Sequence, residues 1–277
     1  MNTLTQMESY RTHSLRRYSG QVQPLARLVC FTWCGAGASV YRRLASSLSS
    51  SIELYAVQLP GREDRFSEPK IVRMEQLVAH VLPELLAFED DLPLILFGHS
   101  MGALLAYEMA LSLQAIEAKA CKLLIVSGHG SPDAGEHQRV LWHTKNEDEF
   151  IANIAQLGGT PPALLADRAM MRMLIPVLRA DYEVLETYHY QRHSETEQKL
   201  HCPVIACAGE LDREVNHASL HGWKNFTHQR FDCHWFPGDH FYLNAQPRAL
   251  TRCLEQWILR DLLHNSQLKL GQASLVS

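Results

Sequence analysis

Short apolar runs alternate along the chain with longer segments in which apolar residues recur every three or four positions. LARLVCF (25–31), IELYAV (52–57), PLILFG (93–98), KLLIVSG (122–128), PVIACAG (203–209) and RFDCHWF (230–236) have the length and composition of strands. The segments VYRRLASSL, MEQLVAHVLPELLAF, MGALLAYEMALSLQ, VNHASLHGW and PRALTRCLEQWILRDLL carry the helical period. Strands that alternate with helices are joined by crossovers and lie parallel, so the pattern predicts an α/β fold with a doubly wound parallel sheet.

Residues 136–195 break this rhythm. They are too many for one crossover and hold the helical stretches NEDEFIANIA and ALLADRAMMRMLIPVLRADYEVLETY around a Gly-Gly-Thr-Pro-Pro turn at 158–162. Helices inserted above the carboxyl edge of a parallel sheet lie over the ligand crevice, so this segment is read as a lid. The remaining organisation is one domain over 26–264, preceded by a flexible extension, 1–25, and followed by a frayed tail, 265–277.

Composition narrows the function. A chain of 277 residues, 46% of them hydrophobic, can bury one large core. A net charge of −4 with no long Lys/Arg run argues against nucleic acid or an anionic membrane as partner. The first twenty residues lack the apolar centre of a secretory signal, and no segment has the roughly 18 consecutive apolar residues of a membrane span. A cytoplasmic monomer is expected. Seven cysteines, an odd number, with Cys30, Cys121 and Cys207 inside apolar runs, read as free thiols.

The chemistry concentrates where strands end. LILFGHSMG (94–102) is a buried run ending in G-x-S-x-G and passing at once into the helix ALLAYEMA. Strand, sharp turn and helix are the context of a nucleophile elbow, in which the central Ser is held strained and its hydroxyl stands clear of the sheet. Ser100 is therefore the candidate nucleophile. The acid and base of such a site follow in chain order. Glu210 and Asp212 come just after PVIACAG, and His240 sits in the turn after RFDCHWF. His240 would take the Ser100 proton and return it to the leaving group while the carboxylate orients the imidazole. Pairs of His at i, i+4 spacing, His189/His193 and His217/His221, lack a third ligand, and no metal is expected.

The glycine-rich loop FTWCGAGASVY (31–41) raises a competing reading, a dinucleotide cradle. Val40 stands where that fingerprint needs its third glycine, and Glu53 opens its strand instead of ending it, so no cofactor is expected. An esterase elbow explains the loop better, because it needs a second backbone N–H, from the loop after an early strand, to hold an oxyanion. The candidate donors are the amides of Met101 and Cys34, with Gly35 as the alternative to Cys34. Cys34 as a rival nucleophile has no evident base beside it.

Taken together, the residues resemble the stand-alone type II thioesterases that accompany nonribosomal peptide and polyketide synthases, a branch of the α/β-hydrolase fold. GHSMGALLAYEMA (98–110) resembles the elbow of that family, QLPGREDRFSEP (58–69) its Pro-Gly-Arg-Glu loop, LGGTPPALLADRAMMRMLIPVLRADYEVLETY (157–188) its lid, AGELDREV (208–215), with Trp223 downstream, its acid loop and GDHFYL (238–243) its histidine loop. The similarity runs from about Arg27 to Leu263. It implies Ser100, Asp212 and His240 as the triad, the acid being the third residue after the Ala-Gly pair. The family loop usually reads Phe-Pro-x-Ala-Gly-Gly, where this chain has Phe31-Thr-Trp-Cys-Gly-Ala. The implied substrate is an acyl or aminoacyl thioester on the phosphopantetheine arm of an acyl or peptidyl carrier protein, in antibiotic or siderophore biosynthesis. A general carboxylesterase or an acyltransferase of the same fold is the alternative.

Overall fold

A computed structural model describes residues 14–18, 23–117, 120–134, 140–190 and 199–273, of which 264–273 are described by backbone alone. Seven strands form one sheet: β1 (Leu15–Arg17), β2 (Ala26–Phe31), β3 (Ile52–Val57), β4 (Leu94–His99), β5 (Cys121–Ser127), β6 (Val204–Gly209) and β7 (Phe231–Phe236), in the spatial order β1-β3-β2-β4-β5-β6-β7. Every neighbouring pair from β3 to β7 is parallel. The order reverses direction after β3, between β2 and β4, and crevices for ligands open at such a reversal beyond the carboxyl ends of the strands.

The central strands read as largely apolar runs because both faces are covered. Alternate residues serve two cores: Val29, Phe31, Leu96, Leu124 and Val126 point to one, and Leu28, Cys30, Ile95, Phe97, Leu123 and Ile125 to the other. Helices α2 (Met74–Leu86) and α3 (Met101–Ile116) close the first face, and α1 (Arg42–Ser47) and the long C-terminal helix close the second.

Between β5 and β6 the described residues form three further α-helices, α4 (Glu147–Leu157), α5 (Pro162–Ala166) and α6 (Arg168–Glu186). Their boundaries are chemically marked. Asn146 caps α4 by accepting from the Glu149 amide, Gly158 ends it in the left-handed conformation (φ +79°), and Asp167 caps α6 by accepting from the amides of Ala169 and Met170. Met171, Ile175, Leu178 and Tyr182 recur at helical spacing on α6 and pack with Phe150 and Ile154 of α4 as a small third core. The chain then continues through α7 (His217–His221), α8 (Tyr242–Ala245) and α9 (Pro247–Ala273).

Two expectations about the ends need correction. Residues 1–25 were read as a flexible extension, yet Leu15–Arg17 pair antiparallel with Val57, Ala56 and Tyr55 of β3 and form the sheet edge. The Glu84 carboxylate on α2 accepts from the Ser14 and Leu15 amides, so the strand is tied down by tertiary contacts that three residues could not supply alone. Residues 265–277 were read as a frayed tail, yet α9 runs to Ala273. Residues 1–13, 19–22, 118–119, 135–139, 191–198 and 274–277 lie outside the described residues, and with them His193 and both ends of the segment 136–195.

Candidate active site

Ser100, Asp212 and His240 follow β4, β6 and β7, all at the carboxyl edge of the sheet. Ser100 has φ +55° and ψ −120°, a conformation that costs about 1–3 kcal/mol and persists only where the surroundings impose it. Here they do. Its amide donates to the Ser127 carbonyl at 2.8 Å, its carbonyl accepts from the Ala103 amide at 2.9 Å, and glycines at 98 and 102 allow the close backbone approach this turn needs. A Cβ on Gly98 would lie 1.9 Å from the Gly102 carbonyl oxygen, and one on Gly102 would lie 2.3 Å from the Phe31 carbonyl oxygen. Both obstacles are backbone. Gly98→Ala is accordingly expected to destabilise the protein by at least about 3 kcal/mol, read as a lower urea midpoint; an unchanged midpoint would show that the turn yields to a side chain at position 98.

His240 Nδ1–H donates to Asp212 Oδ2 at 2.9 Å, with both side chains buried. The other oxygen, Asp212 Oδ1, accepts from the Glu214 amide at 2.9 Å. Glu210, the rival acid, is exposed. The two loops are laced by backbone: the Leu211 amide donates to the Gly238 carbonyl and the Glu210 amide to that of Phe236, each at 2.8 Å. Gly209 is required at their crossing, since a Cβ there would meet the Asp239 carbonyl oxygen at 2.1 Å.

Ser100 and His240 line one cavity of about 370 Å³. Trp33 and Cys34 contribute from the loop after β2, His129 and Gly130 from the loop after β5, and Leu178, Tyr182 and Leu185 from α6, so the inserted helices line part of the crevice. The N–H groups of Met101 and Cys34 donate to no backbone carbonyl among the described residues. The Gly35 amide, offered above as the alternative donor, is engaged: it donates to Asp181 Oδ2 at 2.7 Å. That removes Gly35 from the candidates. Burial, reinforced by the Asp181 carboxylate, pushes the Cys34 thiol well above its ordinary value, which keeps it protonated and a poor nucleophile. His217 and His221 pack on the rings of Trp235 and Phe231.

His99, beside the nucleophile, was not singled out by its sequence. Its Nδ1 lies 2.8 Å from Ser127 Oγ, which lies 2.7 Å from the Tyr242 hydroxyl, and its ring sits 5.0 Å from that of His240. Burial, with the neighbouring His240 and His129, holds His99 well below the ordinary histidine value. An unfolded chain binds a proton here near pH 6.5 and the folded one does not, so the contribution of His99 to stability is complete above that pH and declines as pH falls below it. His99→Asn is expected to flatten this part of the stability profile, by up to about 1.4 kcal/mol per pH unit between 6.5 and the depressed value. Urea midpoints of both proteins at pH 7.5 and 5.5 check this, and parallel losses would show that His99 does not contribute.

Residues 26–258 match the thioesterase domain family. The chain belongs to the thioesterase family. This thioesterase is 34% identical over 245 residues to the thioesterase PikA5 of Streptomyces venezuelae, covering 88% of this chain and 85% of PikA5. It is also 34% identical over 217 residues to the gramicidin S biosynthesis protein GrsT of Aneurinibacillus migulanus, covering 78% and 82% of the two. Among solved structures, the type II thioesterase BorB from the borrelidin biosynthetic cluster superimposes with a TM-score of 0.77 at 31% identity, over 91% of this chain and 99% of BorB. The thioesterase has the α/β-hydrolase fold and is a hydrolase acting on thioesters. No helix among the described residues is long and apolar enough to cross a membrane.

Proposed function

We propose that this enzyme is a stand-alone type II thioesterase that hydrolyses acyl and aminoacyl groups from the phosphopantetheine arms of carrier proteins in a nonribosomal peptide or polyketide pathway. The observation that carries this reading is the strained Ser100 sharing a crevice with the His240–Asp212 pair, in a chain similar to GrsT, named for gramicidin S biosynthesis, and to BorB, a type II thioesterase from a biosynthetic cluster. Helices α4 to α6 act as a lid, and a thin arm reaching Ser100 passes beneath them.

In this mechanism the Ser100 hydroxyl gives its proton to His240 Nε2 as Oγ attacks the thioester carbon. The oxyanion is held by the amides of Met101 and Cys34, placed at a helix N-terminus and a tight turn where N–H groups are free. Collapse of the tetrahedral intermediate breaks the C–S bond, and His240 protonates the departing thiol. A water then gives its proton to His240 and adds to the acyl carbon; the C–Oγ bond breaks, Ser100 recovers its proton, and the free acid leaves. Asp212 keeps the imidazole oriented and supports its charged form throughout. Every step is supplied by side chains, backbone amides and water, so the mechanism calls for no cofactor, and it works in a monomer.

The test is intact-mass spectrometry of carrier proteins loaded with acetyl, aminoacyl or longer acyl groups and incubated with the enzyme. Loss of the acyl mass at catalytic enzyme concentrations is the expected result. Discharge of small oxygen esters with loaded carriers left intact would overturn the carrier-directed reading in favour of a carboxylesterase.

A further inference from the structure

One buried ion pair joins three segments that are distant in the chain: the loop after β2, the loop after β3 and helix α6. Arg62, in the loop after β3, is 5% exposed, and Asp181, on α6, is 1% exposed. Their contact is a two-pronged fork, with Nη1 donating to Oδ2 at 2.7 Å and Nη2 to Oδ1 at 2.8 Å. Asp181 Oδ2 accepts a second hydrogen bond, from the Gly35 amide at 2.7 Å, while Arg62 Nη1 also lies 3.3 Å from the Ala36 carbonyl oxygen. Gln58 completes the tie, accepting from the Ala38 amide at 2.8 Å and donating to the Arg62 carbonyl at 2.9 Å.

The fork holds a particular turn. Residues 33–36 are closed by the Ala36 amide donating to the Trp33 carbonyl at 3.1 Å, and Gly35 occupies the third position with φ +77°, where glycine is favoured. Its neighbour in the turn is Cys34, the amide assigned above to the oxyanion. Leu178, one helical turn before Asp181, presses on the same spot, since a Cβ on Gly35 would lie 2.5 Å from Leu178 Cδ2. Helix α6 thus both fills the space against the turn and fastens it.

Fold stability alone does not account for this pair. The buried stripe of α6 is otherwise apolar, and a buried ion pair contributes little net stability compared with apolar residues of similar volume, while it fixes geometry in a way apolar contacts do not. We propose that Asp181, held by Arg62, is a positioning residue for the oxyanion site: it fastens the Gly35 amide so that the neighbouring Cys34 amide is presented to the reacting carbonyl. Because Asp181 belongs to α6, the site is complete only while that helix is seated, which couples lid position to catalytic competence. The pair also carries no net charge, so it adds no repulsion against the developing oxyanion, and the protonated Cys34 thiol adds none either.

This inference rests on the thioesterase mechanism above, and the experiment separates the two. The decisive variant is Arg62→Met/Asp181→Leu, which removes both charges together and leaves neither partner stranded in the core; Asp181→Asn serves as the second. Kinetics on acyl-pantetheine thioesters are paired with binding of two inert analogues: a trifluoromethyl ketone, which captures Ser100 as a hemiketal oxyanion, and the matching thioether, which has no carbonyl. Both variants are expected to lower kcat about ten- to a hundredfold with KM changed less than threefold, since a misplaced donor costs less than a deleted one. Trifluoromethyl ketone affinity is expected to fall by the same factor and thioether affinity to hold. A folded variant with wild-type kcat, or an equal loss of both analogues, would overturn the positioning role. A wild-type enzyme inactive both on every acyl-pantetheine thioester and on loaded carrier proteins would instead overturn the proposed function.

Discussion

Ser100→Ala is expected to lower kcat for thioester hydrolysis about 10⁶-fold, the loss seen when a nucleophile that works as a unit with its base is deleted. That factor corresponds to about 8 kcal/mol of transition-state stabilisation. The size follows from what disappears. With no hydroxyl at position 100, no acyl-enzyme forms and His240 has no serine proton to take, so the remaining route is direct attack by water on a carbonyl polarised by two amides. The protein itself should be little disturbed. The Ser100 hydroxyl makes no hydrogen bond to a described residue, and the turn is held by its backbone and by Gly98 and Gly102, which the variant leaves in place. Two measurements read the outcome: single-turnover discharge of a loaded carrier, and the mass added by a fluorophosphonate, expected on the wild type and not on the variant. A variant within tenfold of the wild type, or one that still takes up the label at the site, would show that the nucleophile lies elsewhere.

The parts of this site that were legible in the sequence share a property: each stands within a few residues of a strand end. Ser100 follows LILFGH directly, Asp212 comes three residues after β6 ends at Gly209, and His240 comes four after β7 ends at Phe236. A parallel sheet delivers all its carboxyl ends to one edge, so finding the strands nearly finds the site. Strands β2 to β6 are easy to find because, covered on both faces, they are written as apolar runs, broken in β2, β3 and β5 by a single charged residue each, Arg27, Glu53 and Lys122. The sequence LRR of β1 has no such signal; pairing with β3 and the Glu84 carboxylate decide its conformation, and both are contributions of the folded state. Arg62 and Asp181 illustrate the same limit. They are separated by 119 positions, and Asp181 lies in a helix whose neighbouring residues Leu178 and Tyr182 follow an ordinary buried stripe. Arg62 and Asp181 both lie in stretches that resemble family signatures, the Pro-Gly-Arg-Glu loop and the lid, but that they pair becomes visible only once the packing of α6 on the glycine loop is known. The Gly35 amide went from candidate donor to structural anchor for that reason.

The second large effect concerns the choice between two acids that a spacing of two residues leaves open. Asp212→Asn is expected to lower kcat about 10⁴-fold with KM nearly unchanged, whereas Glu210→Gln should leave both within about twofold. In the wild type, the Asp212 carboxylate accepts from His240 Nδ1–H and from the Glu214 amide, one bond to each oxygen. An Asn in this place has one accepting oxygen. If that oxygen keeps the Glu214 amide, its NH₂ faces Nδ1 and forces the imidazole proton onto Nε2, the nitrogen that must be bare to take a proton from Ser100. Shape is conserved and the tautomer is wrong, so substrate still binds and chemistry stops. Since Asp212 acts only through His240 and Ser100, its effect should not add to theirs: the double variant Ser100→Ala/Asp212→Asn is expected to be no slower than Ser100→Ala alone. A large loss on Glu210→Gln with Asp212→Asn active would reassign the acid. A further slowing in the double variant would mean that Asp212 assists by a route independent of the histidine, and the serine, histidine and carboxylate could no longer be treated as one catalytic unit.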